Sequence, residues 1–228
     1  MHLLRQAFSR LFPVSAPVAG THIHEWKVLQ SLGESRNGSL YLVERAGRHS
    51  VLKWLAPTDP AREVLAEQEL ACLRSLSAPA FVKLESHGRW PDDERGTPFL
   101  VLEHIPGLSL AQWCRNPGPT ARDILRVFHK LMGAFSELNA RSMGYPGMAC
   151  GDVMIRNGTL SPVVADLSGV VSYGRPLTEQ ELSQDVQAVG VMLYEVLTHQ
   201  RPGPHALPPH VINPRVPREL SELTMRLL

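Results

Sequence analysis

The stretch CGDVMIRN, Cys150–Asn157, carries a carboxylate and a carboxamide five positions apart, Asp152 and Asn157, on what reads as a loop between two apolar runs. Either residue alone suits a turn or a cap, where Asp and Asn are common. Together they also suit a proton acceptor and a metal ligand. Asp166 follows directly on the short apolar strand PVVA. An Asn and an Asp from neighbouring loops fit Mg²⁺, which takes hard oxygen ligands and few of them from protein. Asp152 is then left to accept a hydroxyl proton. That chemistry needs further partners, and the rest of the chain can be searched for them.

The chain has 228 residues, 43% hydrophobic and 20% charged, an ordinary composition for a packed core. A net charge of +1 gives no global field toward nucleic acid or acidic membranes, so no nucleic-acid partner is expected. The lysines are only Lys27, Lys53, Lys83 and Lys130, so each is worth locating. Cys72, Cys114 and Cys150 are sparse and lack CxxC spacing, which fits a reducing cytoplasm rather than a disulfide framework or zinc site. No apolar run is long enough to cross a bilayer. Residues 1–12 space Leu4, Phe8, Leu11 and Phe12 as on a helix, with Arg5 and Arg10 between. A short helix packed on the body or a partner chain is expected there, with weak peripheral membrane contact as the alternative.

Residues 13–20 read as a Pro/Ala/Gly linker, which separates residues 1–23 from a β-rich region over 24–105. WKVLQSLG, SLYLVER, HSVLKWL, FVKLESHGRW and TPFLVLEHI read as five strands, and Asn37-Gly38 as a hairpin signal. Asp59-Pro60 opens a helix running to about Leu76. Residues 106–228 are mainly helical. Thr120 and Asp123 form a capping box before an apolar stripe of Ile124, Leu125, Phe128, Leu131, Phe135 and Leu138. Thr178 and Glu181 cap a second stripe of Leu182, Val186, Val189, Leu193, Val196 and Leu197.

On the helix from Pro60, the apolar face carries Leu65, Cys72, Leu73 and Leu76, and Glu69 falls in its middle. An inward carboxylate is costly unless paired. Lys53, on a strand with Val51 and Leu55 facing the same side, is the nearest cation. The pattern leaves two readings open: a strand–helix ion pair, or Glu69 at a wet helix edge with Lys53 snorkelling. The Gly-containing hairpin LGESRNGSLYLV is by itself just a hairpin. The phosphate-cradle reading needs a lysine from the next strand, and Lys53 is there.

Gly hairpin, strand Lys, helix Glu, Asp-x4-Asn and strand-end Asp stand in one order, and that order resembles the protein-kinase superfamily, as in bacterial Ser/Thr kinase-like domains. LGESRNGSL resembles its Gly-rich loop, SVLK its strand-three Lys motif, and EQELACLRSLSAPAFVKL its helix C with the next strand. LVLEHIPGLSL resembles the hinge, CGDVMIRN the catalytic loop, ADLSG the DFG region and QDVQAVGVMLYEVLTHQRP helix F. The resemblance spans roughly Trp26 to Leu228. It implies a bilobal α+β fold: a small five-stranded lobe with helix C, then a short helical lobe without a full activation segment.

The resemblance also implies ATP and Mg²⁺ as cofactors. Gly33, Ser35, Gly38, Leu40, Val51 and Lys53 would line the nucleotide site, with Leu102 as gatekeeper and Glu103 to Ile105 meeting the adenine. Glu69 would orient Lys53, Asn157 and Asp166 would hold the metal, and Asp152 would be the base. Asp185 would anchor the catalytic loop's backbone.

Departures from the family are many. The middle Gly of the loop is Ser35, and the HRD His and Arg are Cys150 and Gly151. The catalytic-loop Lys is Met154, with Arg156 as a nearby substitute, and DFG reads DLS with Gly169 one place late. Asp166 and Asp185 are close in sequence, with no Ala-Pro-Glu motif between them, so the peptide-docking segment is missing. Three readings follow: an ATP·Mg²⁺ phosphotransferase of weak or specialised activity on a protein Ser/Thr or other hydroxyl; a pseudokinase acting as a scaffold; and a small-molecule kinase of the aminoglycoside or choline type. A protein partner or protein substrate is expected. His22 and His24 as metal ligands, Cys150 as a nucleophile, and Trp54, Trp90 and Trp113 as a stacking platform are weaker readings than surface or packing roles.

Overall fold

A computed structural model describes residues 16–55, 60–94, 96–115 and 119–228, with the side chains of 60–63 outside that description. The helix expected over 1–12 and the Asp59 cap lie outside the described residues. In chain order the elements are β1 His22–Ile23, β2 Trp26–Ser35, β3 Gly38–Arg45, β4 Arg48–Trp54, α1 Pro60–Ser75, β5 Leu84–Trp90 and β6 Thr97–Glu103. There follow β7 Gly107–Ser109, α2 Leu110–Trp113, α3 Ala121–Ala140, β8 Met143–Gly144, β9 Val153–Arg156, β10 Pro162–Val164, β11 Val171–Ser172, α4 Glu179–Thr198, α5 Pro209–Ile212 and α6 Arg218–Leu227. Two compact units result: one runs to Ala71 and adds Lys83–His104, and the other holds Cys72–Val82 and Ile105–Leu228. The expected boundary between 105 and 106 thus falls one residue earlier, and 72–82 joins the second unit. The reason is pairing: Val82 N–H donates to the Val164 carbonyl at 3.0 Å and Val164 N–H to the Ala80 carbonyl at 2.8 Å.

The first unit is one antiparallel sheet in the order β1-β2-β3-β4-β6-β5. It has six strands where the sequence pattern predicts five. His24, at φ 50, turns His22–Ile23 back onto Trp26–Lys27, which adds the extra strand. His24 is therefore a turn residue, and its Nε2 bonds the Arg89 carbonyl at 2.9 Å.

Alternation along the strands sorts the two faces of the sheet. On one, Tyr41, Val43, Leu52, Trp54, Phe99 and Val101 close on Ile23, Trp26 and Val28. On the other, Lys53 stands level with Leu40 and Leu100, and Val51 level with Leu102. The β2–β3 turn is Arg36-Asn37 rather than Asn37-Gly38. Gly38 is already in the strand, where a Cβ would collide with the Trp54 carbonyl. Along α1 and one residue past it the buried stripe is Ala66, Glu69, Cys72, Leu73 and Leu76, whereas Leu65 is exposed.

In the second unit β7, β9 and β10 form a three-stranded sheet with β9 in the centre, and β8 pairs with β11. Both capping boxes are present, Thr120 with Asp123 on α3 and Thr178 with Glu181 on α4. Each satisfies two backbone donors that a helix start leaves open. Three residues expected on the apolar stripes, Leu125 on α3 and Leu182 and Val186 on α4, are exposed instead. Each stripe is narrower than the pattern suggests.

Glu181 also takes a two-pronged bond from Arg175, at 2.8 and 2.9 Å. Its carboxyl is held at about 2, with the Arg175 hydrogen bonds as the main cause and the Thr178 amide next. Because the folded value is depressed, this stabilisation is present above the ordinary value of 4.5 and is lost as pH falls through about 2. A carboxyl-carbon NMR titration is expected to find Glu181 ionised well into acid. Arg175→Ala should move its midpoint up toward the ordinary value, and an unchanged midpoint would mean that Arg175 is not the cause.

Candidate functional site

In the first unit the two readings of Lys53 and Glu69 resolve to the ion pair. Lys53 Nζ donates to Glu69 Oε1 at 2.7 Å and to Oε2 at 3.0 Å, and the residues are 1% and 2% exposed. The strand register aims Lys53 away from the aromatic cluster, and the helix period puts Glu69 at the centre of the buried stripe of α1. A third residue joins them. Asn37, at the hairpin tip, donates from Nδ2 to Glu69 Oε2 at 3.0 Å and is itself buried. Its Oδ1 is buried without a hydrogen-bond partner. Sequence reasoning missed this role, because Asn37-Gly38 is fully explained as a turn and nothing in the pattern distinguishes an inward amide.

The other residues expected around the nucleotide fall as follows. Gly33, at φ +115, holds a backbone conformation that favours glycine. Ser35 Oγ donates to the Gly38 carbonyl at 2.9 Å and so ties the hairpin neck. Leu40, Val51 and Leu102 share the sheet face of Lys53. Glu103 is clasped to Lys83: its N–H donates to the Lys83 carbonyl at 2.9 Å, and its Oε1 accepts the Lys83 N–H at 3.2 Å. Ile105 is a buried residue of the second unit.

In the second unit the expected loop of Asp152 to Asn157 is mostly a strand. Val153 and Ile155 are buried and alternate with Met154 and Arg156, a period-two pattern that β9 uses to pair with both β7 and β10. Asp152 and Asn157 therefore stand at opposite ends of β9, roughly 15 Å apart at the usual strand rise. The β9–β10 register pairs Val153 with Val164, which brings Asp152 level with Ala165 and next to Asp166. The Asp152 carbonyl accepts the Ala165 N–H at 2.7 Å and the Asp166 N–H at 3.3 Å. The Asp152 carboxylate takes the Ala149 N–H at 2.9 Å and the Tyr145 hydroxyl at 3.1 Å, both on Oδ2. Asp166 Oδ1 accepts the Ser168 N–H at 2.9 Å.

Asn157 is exposed in the β9–β10 turn, its N–H bonded to the Pro106 carbonyl at 2.9 Å. The expected pairing of Asn157 with Asp166 is thus replaced by Asp152 with Asp166. The signals for this were legible: alternation in VMIR, then Asn157-Gly158 as a turn, with Gly158 at φ +70.

Asp185 on α4 is buried and reaches back to this loop. It accepts the Tyr145 N–H at 2.7 Å and Asn139 Nδ2 at 2.9 Å. Burial raises its carboxyl above the ordinary value, against those two bonds. Cys150 is buried, burial raises its thiol, and its Sγ points at the Met192 carbonyl at 3.7 Å, so it is a packing residue and no nucleophile. Among the described residues no cluster of three or more His, Cys, Asp or Glu is placed to hold a metal, and no helix is long and apolar enough to cross a membrane.

No family model matches the chain. The chain is similar to a protein described as the probable serine/threonine-protein kinase zyg-1 of Caenorhabditis elegans, at 24% identity over 222 residues. The match takes in 86% of this chain but 30% of that protein, so the chain spans under a third of the relative's length. The relation to a Ser/Thr protein kinase is distant and coarse.

Proposed function

We propose that the chain is a protein-kinase-like module of bilobal α+β fold that binds ATP with Mg²⁺ and acts by binding, as a scaffold for a protein partner, rather than by phosphoryl transfer. The observation that carries this is the placement of Asp152 beside Asp166. In the family the metal is held by the catalytic-loop Asn and the DFG Asp, and the base precedes that Asn by five residues. With Asp152 in the Asn position, the base position is Gly147, which has no side chain to take a proton. The Asp185 anchor supports the same alignment, since it holds the amide of Tyr145, two residues before Gly147.

The residues fit the group they would hold. Asp152 and Asp166, whose backbones meet, would offer two carboxylates to Mg²⁺, which takes one or two from protein and completes its shell with water and phosphate. Lys53, fixed by Glu69, supplies a cation for the α- and β-phosphates. Leu40, Val51 and Leu102 supply apolar surface for a base. Asp152 is then a metal ligand and not a base, and Asn157 is a turn residue.

Calorimetric titration of ATP with and without Mg²⁺ tests this. Wild type is expected to bind more tightly with Mg²⁺. Asp166→Ala and Asp152→Ala are each expected to abolish that difference, while Asn157→Ala keeps it. Loss in Asn157→Ala with retention in Asp152→Ala would return Asp152 to the base and overturn the proposal. So would ATP turnover that Asp152→Ala abolishes while Mg²⁺-dependent binding persists.

A further inference from the structure

We infer that the outer face of α3 is a docking surface for an acidic segment of a partner protein with apolar anchors. This inference does not depend on nucleotide binding. Arg122, Leu125, Arg126, His129 and Lys130 recur at the spacing of one helix face, and all five are exposed. With Leu160, from the β9–β10 turn, they line a groove of about 610 Å³.

The chain as a whole has a net charge of +1, so three fixed cations on one exposed stripe are a local concentration rather than a reflection of composition. Their internal partners are slight. Arg126 lies 3.9 Å from Asp123, whose carboxylate is already held by the Thr120 cap, and Lys130 donates to the Ser161 hydroxyl at 3.2 Å. Leu125 is 44% exposed at a position where the helix pattern predicts core. An exposed leucine ringed by cations is suited to a partner that brings both an apolar side chain and carboxylates.

Leu160 continues into a second depression of about 420 Å³ that contains Trp113 and Arg156. Trp and Arg are the residue types that most often anchor interfaces. Leu125 and Leu160 distinguish this surface from one that only neutralises phosphates, for which cations suffice.

The probe is a fluorescein-labelled peptide in which leucines are separated by glutamates, titrated onto the full chain and read by anisotropy. Controls are the same peptide with lysine for glutamate, a version with serine for leucine, a single-stranded oligonucleotide, and vesicles containing phosphatidylserine. The acidic–apolar peptide is expected to bind, and both peptide controls to bind at least about tenfold more weakly. Arg126→Glu with Lys130→Glu, and separately Leu125→Ser, are each expected to weaken binding by about tenfold or more. All three sites are exposed, and circular dichroism checks that each variant keeps its fold. The Leu125→Ser arm stands on its own if the charge reversal disturbs α3. No peptide binding, binding indifferent to Leu125→Ser, or oligonucleotide or vesicle binding as tight as the peptide's would overturn the inference.

Discussion

Lys53→Met is expected to lower the stability of the protein by about 3–5 kcal/mol, because it leaves the Glu69 carboxylate buried with only the Asn37 amide for company. The same substitution is a natural choice for abolishing phosphate binding. Here it would confound a binding experiment with partial unfolding. Lys53→Met combined with Glu69→Leu removes both charges and is expected to recover about half of the loss. What remains is the cost of an unpaired buried Asn37 amide, about 1–3 kcal/mol. Urea unfolding of the wild type and the two variants measures both steps. A Lys53→Met midpoint equal to that of wild type would mean the pair is not buried as described.

The second large effect is expected at Asp185. Asp185→Ala strands the Tyr145 N–H and costs Asn139 one of its two amide bonds, the other still going to the Met143 carbonyl, for a loss of about 2–3 kcal/mol. The pH dependence has a definite sign. Burial raises the folded carboxyl above its ordinary value of 3.8, so its contribution to stability is fullest below that value and declines as pH rises through the folded one. The gap between wild type and Asp185→Ala should therefore narrow from acid toward neutrality. Hydrogen exchange gives an independent readout. The Tyr145 amide should lose protection in the variant, while amides of β3 and β4 in the other unit keep theirs. Equal protection at Tyr145 would mean that Asp185 does not hold this loop.

Much of this arrangement is legible in the sequence, because it rests on period and capping. The strands around Lys53, the place of Glu69 on the apolar side of its helix and both capping boxes follow from alternation, helical spacing and Ser/Thr-x-x-acid signals, whereas the choice between an ion pair and a wet edge for Glu69 comes from the structure. The failures share a cause. CGDVMIRN reads as a loop when its polar residues are weighed first. VMIR alternates, and a strand of four residues is short enough for two flanking polar residues to mask it. That one element moves Asn157 away from Asp166 and brings Asp152 to it.

Leu125, Leu182 and Val186 lie at the margins of their stripes, where sequence spacing alone does not say how wide the buried face is. Asn37 was beyond reach for a different reason. Whether a turn amide points out or in depends on a carboxylate far along the chain, and no local pattern records that.

The inward turn of Asn37 also has a kinetic consequence. Lys53 is 1% exposed, and the hairpin tip is fastened to the carboxylate that holds it. A solute can touch this ammonium only after the tip lifts or the ion pair parts. Association at Lys53 is therefore gated, and a single diffusive encounter is not enough. In stopped-flow mixing, the observed rate should climb with ligand concentration and then level off at the lifting rate, a motion of the microsecond-to-millisecond class. Removing the tether with Asn37→Ala should raise that plateau.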